Sequence, residues 1–348
     1  MGSPLVSILW LNYNSMKIID IVLESLKAVE ELDYPNYELI IVDNGSDDGS
    51  FEKIRDFVES RPGLRRVTRI IQNDTNLGFA GGMNVAFRAR SRESKYVALL
   101  NNDAIPEPDS VSKLVEELEA RPELGAAQGV ILRLSDGRID TAGGYLSRFI
   151  YGANLLRGAE PPGLRKPLYI TYADGAYAII RVEAALRAMK GERLFYDELF
   201  GYCDDNVLGV RLWESGYRVA TFPYIVARHA RGATFGKASP SRIYYSSRCL
   251  SYFYHSSRLT LGEKLVVRMV FTRRMLTVPL VARDARLYAA FRRGWRDGAK
   301  LAEKLPPVNH KKAALIPASY LDALKLLVAV RYFQPDVRKL EEIHAVED

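Results

Sequence analysis

YVALLNNDAIPEPDSV, residues 96–111, is the stretch on which the fold turns. An apolar run with the character of a buried strand stops at Asn101, Asn102 and Asp103, and Pro106 and Pro108 follow. Asn and Asp tolerate tight bends and a proline ends a strand ladder, so a plain turn is one reading. The other is that a parallel strand delivers these polar side chains to a ligand, and the flanking sequence decides between them.

Upstream, short β-branched runs alternate with helical patterns, which is the signature of an α/β domain with a mostly parallel sheet. Strands are expected at residues 5–11, 38–42, 67–71 and 96–100, with helices near 16–31, 51–60 and 83–92. Downstream, Asp109 is placed to cap a helix whose Val111, Leu114, Val115 and Leu118 share one face. The strands therefore all run into polar residues. The first meets Asn12 and Tyr13, the second Asp43 and Asn44, the third Asn73 to Gly78, and the fourth the quoted triplet. In open α/β sheets that carboxyl edge is where ligands bind. No G-x-G-x-x-G follows the first strand, which sets a dinucleotide site aside.

The 348 residues, 48% of them hydrophobic, suffice for one large domain with an extension or for two domains. Residues 1–235 are expected to form the first unit, with halves meeting near 105/106. Residues 236–348 read as a basic helical extension broken at Pro306 and Pro307. The two cysteines, Cys203 and Cys249, suggest neither a disulfide framework nor zinc, and point to a reducing compartment. The start, PLVSILWLNYNS, has no basic stretch or small-residue cleavage site, so no secretion signal is expected. Charge or proline interrupts every long apolar run, so no spanning helix is expected either. The net charge of +7 is concentrated: residues 258–300 hold eleven Lys and Arg against three acids, or +8. Such an excess implies an anionic partner for that segment.

Five blocks in order, VSILWLNYNS, IIVDNGSDDGS, NLGFAGGMN, ALLNNDA and DDNVLGVRLWESGYRV with the ARHARGATFG that follows, resemble the family 2 glycosyltransferases, inverting enzymes of the GT-A fold. The resemblance covers residues 4 to about 236 and implies an α/β, Rossmann-like sheet with flanking helices. The implied reaction is sugar transfer from a nucleotide-diphosphate sugar to a glycan or lipid-linked acceptor, with Mg²⁺ or Mn²⁺. GDP-mannose, dTDP-rhamnose and UDP-hexoses all stay open as donors. A sugar-phosphate nucleotidyltransferase would want a basic Gly-rich loop after strand one, which NYNSM lacks. A non-catalytic sugar-binding protein on the same fold is the third reading.

The site residues follow from chemistry and resemblance together. Asp103 offers a hard oxygen for Mg²⁺ or Mn²⁺, and it matches the last Asp of the family's DxD signature, with Asn101 in the first position. The resemblance puts Asn12, Tyr13, Asp43, Asn44 and Asn102 around the nucleotide. It puts Gly78, Gly82 and Asn84 near the diphosphate and sugar, on a Gly-rich loop whose backbone N–H groups approach phosphate closely. Inverting transfer needs a base; Asp204 and Asp205 are the paired carboxylates that fit, and the family match makes Asp205 the base. Their alternative is a helix N-terminus favoured by its dipole. Val207 stands where relatives carry a third acid. His229 is either a satisfied structural residue or a second metal ligand, and Asp174 is either a turn residue before Gly175 or a sugar contact.

The arginines of residues 258–300 are interleaved with Leu, Val, Phe and Tyr. No nucleic-acid motif accompanies them. Helices lying on an anionic membrane fit this pattern, as does a packed subdomain with a solvated face. The first alternative puts the protein at the periphery of the membrane on its cytoplasmic side.

Overall fold

The structure, a computed structural model, describes residues 2–230, 239–328 and 336–346. The β-branched runs form β1 (Val6–Asn12), β2 (Tyr37–Asp43), β3 (Thr68–Gln72) and β4 (Tyr96–Asn101), all parallel in the order β4-β1-β2-β3. Helices α1 (Ile19–Glu30), α2 (Ser50–Glu59), α3 (Pro62–Val67) and α4 (Gly78–Ala89) connect them. The short α3, with its proline at the first turn, was not expected. Helix α4 begins at Gly78 and not near residue 83, so the Gly-rich loop is itself the first turns of a helix. Glycine's low helix propensity hides this start. Packing demands the glycine all the same, since a Cβ on Gly82 would lie 2.5 Å from Leu11 of β1.

The chain continues through β5 (Ala104–Pro106), α5 (Ser110–Ala120), β6 (Leu124–Arg133), β7 (Ile139–Thr141), β8 (Gly144–Ser147), β9 (Gly152–Asn154) and β10 (Leu168–Tyr169). Then follow β11 (Tyr177–Arg181), α6 (Val182–Met189), α7 (Asp204–Glu214) and β12 (Arg218–His229). Strand β11 lies antiparallel between β4 and β6, and β12 runs parallel to β6. The α5 face of Val111, Leu114, Val115 and Leu118 is buried as expected. Asp109 stands at its N-cap without a capping bond; its carboxylate pairs instead with Lys113 at 2.5 Å.

The extension comprises α8 (Pro240–Ser256), α9 (Leu261–Ala282), α10 (Arg286–Lys304), β13 (Leu315–Ile316), α11 (Tyr320–Val328) and α12 (Val337–Ile343). The expected boundary at 235/236 lies outside the described residues. Much of the extension is built into the core. Strand β13 pairs with β8, and Val267, Val270 and Ile316 share a buried cluster with Leu146, Phe149 and Tyr172. Glu263 of α9 is wholly buried between Arg148 at 3.0 Å and Lys311 at 2.7 Å. Burial opposes its charge, but bonds from Lys311, the Thr260 backbone and Arg148 prevail and hold its carboxyl at about 2.

One expectation is overturned here. Cys203 and Cys249 are joined in a disulfide, with Cα atoms 5.4 Å apart across 46 residues of sequence. Two cysteines that far apart carry no framework signature, and only the crossing of α8 over the start of α7 brings them together. The bond removes the ground for reading a reducing compartment from cysteine usage.

Candidate active site

Parallel register sets the first part of the site. Asn12 and Asp43 are partners at the ends of β1 and β2, and Leu11 is opposite Asn101 on β4. The buried Asn12 amide reaches Asp43 Oδ1 at 2.8 Å and Ser50 Oγ at 3.1 Å, while its oxygen accepts from Ser15 Oγ and from Asn102 Nδ2 at 3.2 Å. Asp43 also accepts from the Ser46 N–H and hydroxyl, at 3.0 and 2.6 Å. Asn44 donates to Asn76 Oδ1 and Gly78 O and accepts from Asn73 and the Leu77 N–H, all near 3.0 Å. These residues hold one another in a fixed polar floor. Tyr13, next in the chain to Asn12, is 41% exposed.

Asn84 corrects an expectation. It is fully buried, and its amide donates to Phe195 O and Asp197 Oδ1 at 2.8 and 2.7 Å while its oxygen accepts from the Leu194 and Phe195 N–H groups. With both ends of the amide filled, Asn84 holds the loop at 194–197 and does not face a diphosphate. Gly82 is buried against Leu11 and lies beside the Asn44 amide. Gly78 has φ +74°, and a Cβ there would lie 2.2 Å from Phe200 O.

The second part is a line of three buried side chains. Strand β5 pairs with β12 so that Ala104 is opposite His229, and this places Asp103 Oδ1 3.0 Å from His229 Nε2. The other ring nitrogen, Nδ1, lies 3.0 Å from Asp140 Oδ2 on β7. Asp140 carries no sequence signal in GRIDTAGG; only the β6–β7 pairing brings it here. Burial works against an imidazolium, but the bonds to Asp103 and Asp140 outweigh it and raise His229 to about 10. The donors suit a hard divalent cation. The 3.0 Å separation of Asp103 Oδ1 from His229 Nε2 is a hydrogen-bond distance, so His229 can join Asp103 on a cation only after its Nε2 proton is lost. No cluster of three or more protein ligands occurs among the described residues. Mg²⁺-type sites commonly complete their shell with substrate phosphate and water.

The third part is acidic. Asn101 N–H donates to Ala176 O at 3.0 Å, which sets the Asp174 loop against the Asn101–Asp103 turn. Asp174 is fixed by Asn154 Nδ2 at 3.1 Å and, through its own N–H, by Gln128 Oε1 at 2.6 Å. Asp204 and Asp205 open α7, where the helix dipole favours negative charge. Burial nonetheless raises Asp204 to about 6, against the pull of its own backbone N–H and of Arg248. One Asp204 oxygen has no hydrogen-bond partner among the described residues. Asp205 reaches the surface only in part, and the protein around it desolvates the carboxylate. That burial, then the Asp204 and Asp174 charges, push Asp205 well above the usual range. The structure thus brings Asp174, Asp204 and Asp205 together. A desolvated carboxylate of raised pKa is suited to accept a proton.

A sequence model described as Glycosyl transferase family 2 matches residues 7–186, just over half of the chain. The poly-beta-1,6-N-acetyl-D-glucosamine synthase of Staphylococcus epidermidis is 29% identical over 124 residues, covering 36% of this chain and 28% of that protein. The chain spans between 15% and 50% of the length of the curated relatives it matches. Among solved structures, residues 1–349 of S. aureus TarS in complex with UDP-GlcNAc superimpose with a TM-score of 0.57 at 13% identity, covering 86% of this chain and 80% of that one. The mannosyltransferase PcManGT of Pyrobaculum calidifontis, in complex with GDP-Man and Mn²⁺, gives 0.52 at 17% identity, covering 87% and 89%. At these identities the likeness is one of fold.

Proposed function

The chain belongs to glycosyl transferase family 2 and has the GT-A fold, and on that premise we propose that it is an inverting, metal-dependent hexosyltransferase. The donor is a nucleotide-diphosphate sugar, and the acceptor is a glycan on a lipid carrier or at the cell surface. The observation that carries this reading is the adjacency of two unlike groups: the buried Asp103–His229 pair at the strand ends, and the desolvated acids Asp174, Asp204 and Asp205 against the same turn.

Asp43, Asn12 and Tyr13 hold the nucleoside on the floor that β1 and β2 build. Asp103 and His229 hold the cation, which when bound neutralises charge on the departing diphosphate. Asp205 takes the proton from the acceptor hydroxyl as its oxygen attacks the anomeric carbon opposite the leaving group. Asp174 orients the sugar, and Asp204 keeps Asp205 basic through its charge. The catalytic unit is residues 1–235, and the extension holds it at an anionic membrane surface. Five large apolar residues on the outer side of α9, Leu261, Leu265, Met269, Leu276 and Leu280, are exposed among its arginines. Among the described residues no helix is long and apolar enough to cross a membrane. Attachment is therefore read as peripheral, on the cytoplasmic side, where burial of Cys203 shields the disulfide from thiols.

The test is Asp103→Ala in titrations with UDP, GDP and dTDP, each with Mn²⁺ or with EDTA. One nucleotide should bind the wild type in a Mn²⁺-dependent manner, and the variant should lose roughly 10- to 100-fold of that affinity. Equal affinity with and without chelator would remove the metal from this site.

A further inference from the structure

The loop in front of α7 has an unfavourable backbone. Phe200, Tyr202 and Cys203 have φ of +59°, +60° and +82°, a region that side-chain-bearing residues rarely adopt. Such conformations persist only where the surroundings over-determine them. From the donor side, Asn84 grips residues 194–197, and the Ala80 N–H donates to Phe200 O at 3.3 Å. From the other side the loop meets one face of α8.

That face is Tyr245, Arg248 and Cys249, spaced so that all three project together from the helix. The Tyr245 ring lies parallel to those of Phe200 and Tyr202, with centroids at 6.0 and 5.9 Å and interplanar angles of 7° and 6°. The Arg248 guanidinium, 4.9 Å from the Tyr245 ring centre, donates to the carbonyls of Leu199 and Gly201. Cys249 is bonded to Cys203, the residue before Asp204. Each left-handed residue therefore meets α8, Phe200 and Tyr202 through the shared Tyr245 and Cys203 through Cys249. The helix is itself firmly backed. A Cβ on Gly294 or Gly298 of α10 would lie 2.3 Å from the carbonyl of Tyr244 or Arg248, so the two helices meet backbone to backbone. Ser251 Oγ adds a bond to Trp295 O at 2.6 Å.

We propose that Tyr245, Arg248 and Cys249 form a positioning clamp, by which the C-terminal extension holds Asp204 and Asp205 in register with the donor site. The extension is then part of the catalytic machinery as well as a surface anchor. The naming of Asp205 as the base rests on the proposed transferase reading; the clamp itself is a statement about the loop. Arg248 acts through geometry and charge together, because its Nη2 reaches both carbonyls, its guanidinium plane meets the Tyr245 ring and its charge also faces Asp204.

The experiment compares the full-length wild type with Arg248→Lys, Tyr245→Leu and Cys249→Ser. Arg248→Lys keeps the charge and loses the planar guanidinium that meets the Tyr245 ring, so it addresses the clamp even if Cys249→Ser folds poorly. Backbone amide exchange across residues 197–206 is read by mass spectrometry. Binding of UDP and GDP with Mn²⁺, and turnover of UDP-glucose, GDP-mannose and dTDP-rhamnose, are read alongside. Exchange in that segment should rise at least tenfold and transfer kcat should fall at least tenfold, with nucleotide affinity changed by less than twofold. Unaltered exchange in 197–206, or a parallel loss of nucleotide affinity and global stability, would reduce α8 to general structural support. If the wild type turns over none of these donors, the transferase reading fails, and the exchange data still decide whether the clamp exists.

Discussion

At the ends of β1 and β2, Asn12, Asp43 and Ser50 are buried in contact with one another and with Ser15, Ser46 and Asn102. In front of α7, Asp204 is as deeply placed, yet one of its oxygens meets no donor among the described residues, and the backbone leading to it is left-handed at three positions. Both regions concentrate polar groups at the edge of one sheet. The first is satisfied from within and is set by parallel register alone. The second is under-satisfied and is held from outside, by Asn84 on one side and α8 on the other. The difference fits a division of labour: a floor that must accept a nucleotide without rearranging, and an acid group whose discomfort as a carboxylate is its reactivity.

The largest effect expected from this contrast comes from Asp205→Asn, which keeps the shape but cannot take a proton. Transfer should fall by about 10²- to 10⁴-fold, while binding of nucleoside diphosphate with Mn²⁺ stays within about twofold of the wild type because the floor is untouched. Single-turnover rates and equilibrium titrations measure the two separately. If Asp204→Asn is the inactive variant and Asp205→Asn turns over normally, the roles of the pair are exchanged.

A smaller effect, on stability, sharpens the comparison. Asp204 is raised from 3.8 to about 6 by burial, so between those values the folded state binds its proton more tightly than the unfolded chain. Stability is then lost as pH rises through this window and is not regained above it; the full shift corresponds to about 3 kcal/mol. Asp204→Asn removes the penalty. Relative to the wild type, it should gain up to about that much in urea unfolding at pH 8 and almost nothing near pH 4. Asp43→Asn on the donor side should do the reverse. Asp43 accepts from Asn12 and twice from Ser46, and an amide there turns an NH₂ toward donors, at a cost of about 1–3 kcal/mol. Equal responses at the two sites would erase the distinction.

The same contrast accounts for what could be read from the sequence. Strands β1 to β4 were legible to within a residue or two, because β-branched runs that stop at Asn or Asp announce both the strand and the polar edge. The meeting of Asp174 with Asp205 was legible only through resemblance, and the start of α4 was hidden by glycines that packing requires. Nothing local announces the contacts that hold the acid loop. Arg248 finds Leu199 across 49 residues, and Cys249 finds Cys203 across 46. These are consequences of how an extension without a strand pattern packs on the sheet, and no periodicity encodes them.

The smallest expected effect on the fold tests the far side of the extension. Helix α9 is apolar on two sides. Val266, Val267, Val270 and Phe271 face inward and are buried, while Leu280 is 76% exposed, on the same side as Leu261, Leu265 and Leu276. A helix with a bare apolar side has a further medium to meet, and under the proposed surface attachment that medium is an anionic bilayer drawn by the +8 of residues 258–300. Leu280→Gln should therefore shift unfolding stability by less than about 0.5 kcal/mol. It should lower co-sedimentation with phosphatidylglycerol vesicles by on the order of tenfold at most, a fraction of the 1.5–3 kcal/mol that full burial of a leucine contributes. Part of the binding should survive high salt, since burial of apolar side chains is not screened. Phe271→Ala, on the inner side, should show the opposite pattern, with a loss of about 3 kcal/mol in stability and vesicle binding retained wherever the protein is folded. If the wild type and Leu280→Gln both ignore anionic vesicles, the bare side of α9 is a contact for another protein, and the acceptor is brought to the enzyme by some other means.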